Sequence, residues 1–143
     1  MKVLHGKVSS GRGLGGKAKH YRVELHPNAR SMRRAICEND RWLRKKGMGP
    51  IRSGYSDTQA MARYYGTHWE RRNACIGVVY FHRDVFGAGV VAHEMTHAAL
   101  YATAPGKFPF VFRKHHDERL AMAVHRLVRG FWRWYYRVNI ETD

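Results

Sequence analysis

The chain has 143 residues, of which 44% are hydrophobic and 13% aromatic. This composition excludes an intrinsically disordered protein and predicts a single folded domain over residues 1–143. We find no hydrophobic signal sequence and no run of transmembrane length, which predicts a cytoplasmic protein. The 26 Lys and Arg residues against 11 Asp and Glu give a formal net charge of +15.

The positive charge is concentrated in the first third of the chain. Residues 1–54 hold 14 basic and 3 acidic residues, so they carry most of the excess. Such a balance favours nucleic acid, an anionic surface or an acidic protein as partner. A charged surface that only keeps the protein soluble is the alternative interpretation.

The N-terminal segment, residues 1–16, is rich in Gly, Ser and Lys, which predicts a flexible basic segment. Residues 11–18 approach the phosphate-binding pattern G-x-x-x-x-G-K-[ST], but Ala18 stands where a hydroxyl should hold Mg²⁺. A flexible loop is therefore the prediction here. Polar and apolar residues alternate over 21–25, which predicts a strand.

One helix and two strands are predicted between residues 27 and 81. Residues 27–46 have helical periodicity and a strongly basic outer face, with Asn28 as cap and Gly47 as end. Residues 58–65 have modest strand character, and residues 75–81 are almost all apolar and β-branched or aromatic. A connection over 66–73 would make these two strands an antiparallel pair.

The sequence His93-Glu94-Met95-Thr96-His97 lies within residues 89–101, which have helical character. On a helix, His93 and His97 face one point, and two neutral imidazoles suit Zn²⁺. Glu94 lies beside them, where it could take a proton from a water activated by the metal. The alternative is a buried amphipathic helix with two chance histidines, but a carboxylate inside it would be costly to bury without a partner.

A long helix is predicted from about residue 113 to residue 137. One face is apolar, and another carries arginines: Arg119, Arg126, Arg133 and Arg137. The aromatic residues Trp132, Trp134, Tyr135 and Tyr136 could stack on bases or lie at a membrane surface, but core packing with arginines reaching to solvent is the safer interpretation.

A catalytic zinc usually has three protein ligands and an open position. The residues after His97 exclude the metzincin continuation, because Leu100 and Thr103 occupy the Gly and His positions. The next candidates are grouped at the start of the last helix: His115, His116, Asp117 and Glu118. Glu118 lies 21 residues beyond His97. This distance leaves room for a loop that folds the last helix back across the helix that carries His93 and His97.

The pattern H-E-M-T-H-A followed by D-E-R-L-A-M at 117–122 resembles small zincins of phages and mobile elements, similar to the ImmA/IrrE-like peptidases. The resemblance covers about residues 75–130 and implies zinc ligands His93, His97 and Glu118, with Glu94 as general base. It also implies the cytoplasm of a bacterial or phage-infected cell. The sequence departs from the family pattern at Asp117, where Glu is expected. Since Asp117 and Glu118 are adjacent carboxylates, the choice of the third ligand between them stays open.

The same motif also resembles the SprT-like DNA-dependent proteases, whose third ligand is a histidine in a Gly-His-Gly-Pro motif. Residues 114–117 lack the glycines and the proline of that motif, although the positive net charge of the chain agrees with a DNA-dependent protease. In that family His116 would be the counterpart of the third ligand.

We therefore predict an α+β, zincin-like fold with a small antiparallel sheet, the metal helix and a long C-terminal helix behind it. The predicted function is zinc-dependent hydrolysis of a peptide that could add to the sheet edge. His125 could orient a ligand or steady an oxyanion, or be an edge histidine without a catalytic role. The rival is a non-catalytic basic protein, stabilised by zinc, that binds nucleic acid or an acidic partner.

Overall fold

The computed structural model describes residues 2–48, 59–103 and 116–142. Strands and helices are mixed along the chain, with one turn of 3-10 helix at Arg83–Val85. The elements are, in order, β1 (Leu4–Arg12), β2 (Ala18–His26), α1 (Ala29–Lys45), β3 (Ala60–Tyr64), α2 (Thr67–Arg72), β4 (Cys75–His82), α3 (Ala88–Thr103) and α4 (His116–Thr142). The α+β class predicted from the sequence is confirmed.

The four strands form one sheet in the order β1-β2-β4-β3. β1 and β2 are antiparallel, as are β3 and β4, but β2 and β4 run parallel. The prediction of an antiparallel sheet is therefore wrong at its centre. Because α1 carries the chain back across the sheet after β2, the next central strand enters in the same direction, which is the usual geometry of a helical crossover.

The N-terminal segment is ordered, contrary to the prediction of flexibility over residues 1–16. β1 is an edge strand with Val8 and Ser10 buried. The glycine-rich loop that follows is held by α2, because the Leu14 N–H donates to the Glu70 carboxylate at 2.5 Å. Lys19 Nζ donates to the carbonyl oxygens of Glu70 and Asn73 at 2.5 and 2.9 Å. The Glu70 carboxylate therefore lies beside the glycine-rich loop, whose sequence approaches a phosphate-binding pattern.

The larger core lies between one face of the sheet and the helices α3 and α4. Fully buried side chains from both sides include Leu25, Phe81, Met95, Leu127 and Phe131. The Tyr21 hydroxyl donates to the Ala98 carbonyl at 2.9 Å, which fixes the position of α3 against β2. Burial raises the pKa of Tyr21 well above its usual value, so the phenol stays protonated and remains a donor.

The opposite face of the sheet is covered by α1. Met32, Ile36 and Leu43 pack there against Val78 and Tyr80. The first turn of α1 is capped as predicted, since the Ser31 N–H donates to Asn28 Oδ1 at 2.9 Å. This face also buries charge: Arg63 Nη2 of β3 donates to both carboxylate oxygens of Asp40 at 2.6 and 2.5 Å.

The strands predicted at 21–25, 58–65 and 75–81 and the helices predicted at 27–46 and 113–137 are confirmed with small shifts of their ends. Residues 49–58, between α1 and β3, and residues 104–115, between α3 and α4, lie outside the described part of the chain. Among the helices that the structure describes, none is both long enough and apolar enough to span a membrane. Cys37 and Cys75 are free thiols.

Candidate metal and catalytic site

The helix α3 presents two chemically different sides. Its apolar side, with Val91, Met95 and Ala98, is fully buried against the core. Its other side carries His93, Thr96 and His97, all exposed. The helix begins directly after Gly87, and the Val91 N–H donates to the Gly87 carbonyl at 3.1 Å. The histidines are thus held by a rigid element while their imidazoles face solvent.

The two imidazoles are arranged as a pair. His93 Nε2 and His97 Nε2 lie 3.3 Å apart, with ring centroids separated by 4.9 Å. Two nitrogens on one tetrahedral zinc, each about 2.0–2.1 Å from the metal, would be separated by about 3.3–3.4 Å. The donor pair therefore has the spacing that a shared zinc ion requires. In the absence of metal, the same spacing suits one hydrogen bond if one ring donates.

Glu94 is buried at the base of this pair, with 9% of the residue exposed. Its Oε1 lies 3.9 Å from His93 Nε2, which is too long for a direct hydrogen bond and leaves room for a bridging water. Burial raises the pKa of Glu94 above its usual value, while the two histidines and a hydrogen bond with the backbone of Ala62 act in the opposite direction. Such a carboxylate is a better proton acceptor than an exposed one.

The strand β3 forms the wall of the site next to Glu94. It is an edge of the described sheet and pairs on its other side with β4, where a Cβ on Gly77 would collide with the Arg63 carbonyl. The Tyr65 N–H points towards β4 and donates to the Ile76 carbonyl at 2.9 Å. Because strand residues alternate, the backbone groups of Ala60 and Ala62 face outwards, towards α3.

A cleft of about 450 Å³ separates the start of β3 from α3. Its lining combines the strand edge with the motif helix: Gln59, Ala60, Gly89, Val90, His93 and Glu94. Outward-facing backbone groups, an imidazole and a buried carboxylate therefore meet in one concave space. An extended peptide could pair with β3 there and bring a backbone carbonyl to the histidines.

A second groove of about 710 Å³ lies on the other flank of α3, where Thr96 faces α4. It is mostly apolar, with Leu120, Val124 and Val128 on its floor, and His125 and Arg129 also line it. His125 is exposed and therefore sits at a groove next to the histidine helix. This groove is not the cleft that His93 and Glu94 line, so the supporting role of His125 stays a prediction.

The third ligand is the open part of the sequence prediction. Among the side chains that the structure describes, no three His, Cys, Asp or Glu residues lie close enough together to hold a metal ion. Glu118 is exposed at the start of α4, and His116 is only 2% exposed. His115 and the side chain of Asp117 lie outside the described part of the chain. The structure therefore brings together two donors, His93 and His97, and does not place a third ligand beside them among the described side chains.

An aromatic stack continues the line of the histidines along α3. The His97 ring lies 6.4 Å from the Tyr101 ring at 23°, and Tyr101 stacks on Tyr64 of β3 at 5.8 Å and 12°. The Tyr64 hydroxyl donates to Glu70 Oε1 at 2.8 Å. Tyr101 follows His97 by one helical turn, so the motif helix itself places it there, whereas Tyr64 is missing from the sequence prediction because only the tertiary structure brings β3 to α3.

We compared the chain with protein-family models, with curated proteins and with solved structures, and none of them matches. The resemblances to the ImmA/IrrE-like and SprT-like peptidases therefore depend on the motif residues alone.

Proposed function

We propose that the protein is a zinc-dependent peptidase with His93 and His97 as metal ligands and Glu94 as general base. The observation that carries the proposal is the 3.3 Å separation of His93 Nε2 and His97 Nε2. This pair stands next to a buried carboxylate and the edge strand β3, where Ala60 borders the cleft. Zinc would supply Lewis acidity, which polarises a scissile carbonyl and lowers the pKa of an attacking water.

The chain's own residues would divide the work between binding and proton transfer. The outward-facing backbone of β3 would hold the substrate in an extended conformation and set the position of its carbonyl. Glu94 would take the proton from the attacking water at its carboxylate and deliver it to the leaving amine. Burial of Glu94 supports this role, because a raised pKa makes the carboxylate a stronger base.

We propose Glu118 as the third ligand, in agreement with the ImmA/IrrE-like resemblance. Glu118 lies at the start of α4, and α4 packs against α3. The SprT-like alternative needs a histidine ligand, and His116 is 2% exposed, so it would have to turn away from the interior. Glu118 is exposed, so it would have to move towards the histidines but would not have to leave the core, and this favours the carboxylate.

The rival function, a purely structural zinc, has less support. A structural zinc site is closed by four protein ligands and is normally surrounded by the fold. His93 and His97 are instead exposed, and His93 borders a cleft. Exposed donors at a cleft are the arrangement that a reacting substrate needs.

The test is zinc analysis combined with hydrolysis by protein purified without a polyhistidine tag. We expect about one zinc per chain and cleavage of an unfolded protein substrate that stops on treatment with a chelator and returns with zinc. Folded protein that binds no added zinc would overturn the proposal. Zinc binding without cleavage of a broad panel of peptides would support the structural role instead.

A further inference from the structure

Three aromatic side chains form a cluster at the end of α1, on the side of the sheet away from the histidine pair. Trp42 contacts Trp69 edge-to-face at 5.5 Å and Tyr65 at 6.0 Å, and Tyr65 contacts Trp69 at 5.9 Å. Trp69 Nε1 donates to the Cys75 carbonyl at 2.8 Å, which fixes its indole on β4. Trp42 is 38% exposed although its neighbours are largely buried.

The two helices that supply Trp42 and Trp69 both end in cationic residues. These cations are exposed and come from the end of α1 and the end of α2: Arg41, Arg44, Lys45, Lys46, Arg71 and Arg72. In the described part of the chain, none of the six forms an ion pair. Of the nearby acids, Asp40 is buried against Arg63 and Glu70 holds the Leu14 N–H, which leaves Glu38 on α1 as an exposed carboxylate against six cations.

We propose that Trp42 and these six cations form a binding surface for single-stranded nucleic acid. Unpaired Arg and Lys side chains attract phosphates and release counterions, while an exposed indole offers a face on which an unpaired base can stack. A duplex keeps its bases paired and presents only phosphates to the same surface. The combination of charge with a preorganised indole therefore selects the single strand.

The arginine-bearing face of α4 provides an internal comparison. Tyr136 is 61% exposed there, with Arg133 and Arg137 beside it. Its cations come from one helix, whereas the six cations of the Trp42 surface come from the ends of two helices whose tryptophans are in contact. A flexible strand whose base stacks on Trp42 could reach cations of both helices, and this distinguishes the two surfaces.

The test is fluorescence anisotropy of a labelled oligothymidylate and of a labelled duplex across a salt series. We expect the wild-type protein to prefer the single strand, and Trp42→Ala to weaken that binding about 5- to 100-fold. Trp42→Phe should retain most of the affinity because it keeps an aromatic face. Replacing Arg41, Lys45 and Arg71 with Gln should reduce the log–log salt slope by about 0.7 for each phosphate that the protein no longer neutralises.

The matched controls are Tyr136→Ala and the replacement of Arg126 and Arg133 with Gln on α4. Both should bind nearly as well as wild type, and so should Glu94→Gln, because the motif helix lies across the sheet. The proposal is overturned if the α4 variants lose as much affinity as the Trp42 variants, or if duplex is bound as tightly as the single strand. Tighter binding to anionic phospholipid vesicles would overturn it as well.

A folding defect in Trp42→Ala would be seen by circular dichroism, and the decision then rests on fluorescence quenching. Oligothymidylate should quench the tryptophan emission of wild type more than that of Trp42→Phe. Equal quenching in the two proteins would show that the base does not stack on Trp42.

Discussion

Histidines on the two sides of the sheet have opposite surroundings. His26, on the α1 side, is 2% exposed, with Nε2 at 2.9 Å from Glu24 Oε1 and Nδ1 at 2.8 Å from Ser31 Oγ. His93 and His97, on α3, are exposed and their Nε2 atoms face each other. Both nitrogens of His26 are used inside the fold, whereas the α3 pair turns one nitrogen from each ring towards a common point.

This difference separates a histidine that holds the fold together from a histidine that is available to a ligand. His26 joins the end of β2 to the first turn of α1, so its replacement must remove the hydrogen bonds to Glu24 and Ser31 and leave Glu24 with Arg22, at 3.5 Å, as its remaining ion-pair partner in the described part of the chain. His93 and His97 contribute little to packing, so their replacement should be visible only when a ligand is measured. The ten histidines of the chain cannot be sorted in this way by composition.

The largest expected effect comes from Glu94→Gln. The amide keeps the shape of the side chain but cannot accept a proton, so hydrolysis should fall by about 10²–10⁴-fold while zinc binding is retained. Initial rates on a quenched fluorescent peptide measure this loss, with Glu38→Gln as a control for an exposed carboxylate on α1. Unchanged rates in Glu94→Gln would assign the proton transfer to another group.

The single variants His93→Ala and His97→Ala should each lower zinc affinity by at least about 100-fold. The melting temperature of the metal-free protein should hardly change, because exposed substitutions usually shift stability by less than about 0.5 kcal/mol. A competitive zinc titration measures the loss of affinity and a thermal melt measures the stability of the metal-free protein, with His5→Ala on β1 as control. Strong destabilisation of both metal-free variants would remove the contrast with His26.

Among residues 116–118, Glu118→Ala should weaken zinc binding most, by about 10- to 100-fold. The same titration applied to His116→Ala and Asp117→Ala provides the comparison. A larger loss in His116→Ala would favour the SprT-like interpretation, and a larger loss in Asp117→Ala would move the ligand by one residue.

His26→Ala should reduce the free energy of unfolding by about 2–3 kcal/mol and leave zinc affinity unchanged. The cause is the loss of two hydrogen bonds in a buried site, which leaves the Glu24 carboxylate without its nearest donor. Urea unfolding at neutral pH measures the effect. A protein of wild-type stability would show that this network contributes nothing to the fold.

The smallest effect concerns the dependence of stability on pH. Burial alone would raise the pKa of Glu24, but the hydrogen bond and the charge of His26, with Arg22 and His5, lower it below its usual value of 4.5. A lowered pKa in the folded state stabilises the protein above the unfolded pKa, and this contribution disappears as pH falls through the folded pKa. Glu24→Gln should therefore flatten the acid side of the stability profile measured by urea unfolding between neutral pH and about pH 3.

Local signals in the sequence were sufficient for most elements and for the centre of the site. The periodicity of α1 and α4, the Asn28 cap and the apolar run of β4 depend on neighbouring residues, and all of them were predicted correctly. His93 and His97 were predicted to face one point because helical geometry alone places them there. These features need no information from distant parts of the chain.

The parts that were missed depend on contacts between distant residues. Glu70 fixes the glycine-rich loop through Leu14, across 56 residues of sequence, so a segment that is flexible by composition is ordered in the fold. The parallel pairing of β2 with β4 depends equally on the route of α1 over the sheet. Burial of Glu94 beneath β3 gives it a backbone partner, Ala62, that the motif does not reveal.

The contact between β1 and α4 has a consequence for how the chain folds. Trp134 Nε1 donates to the His5 carbonyl at 3.2 Å across 129 residues, and its indole covers Gly6, where any Cβ would collide with it. During synthesis, the inner face of β1 stays uncovered until α4 has left the ribosome, because no earlier element supplies that indole. Closing so long a loop is entropically expensive, so we expect this step to come late and to limit the folding rate.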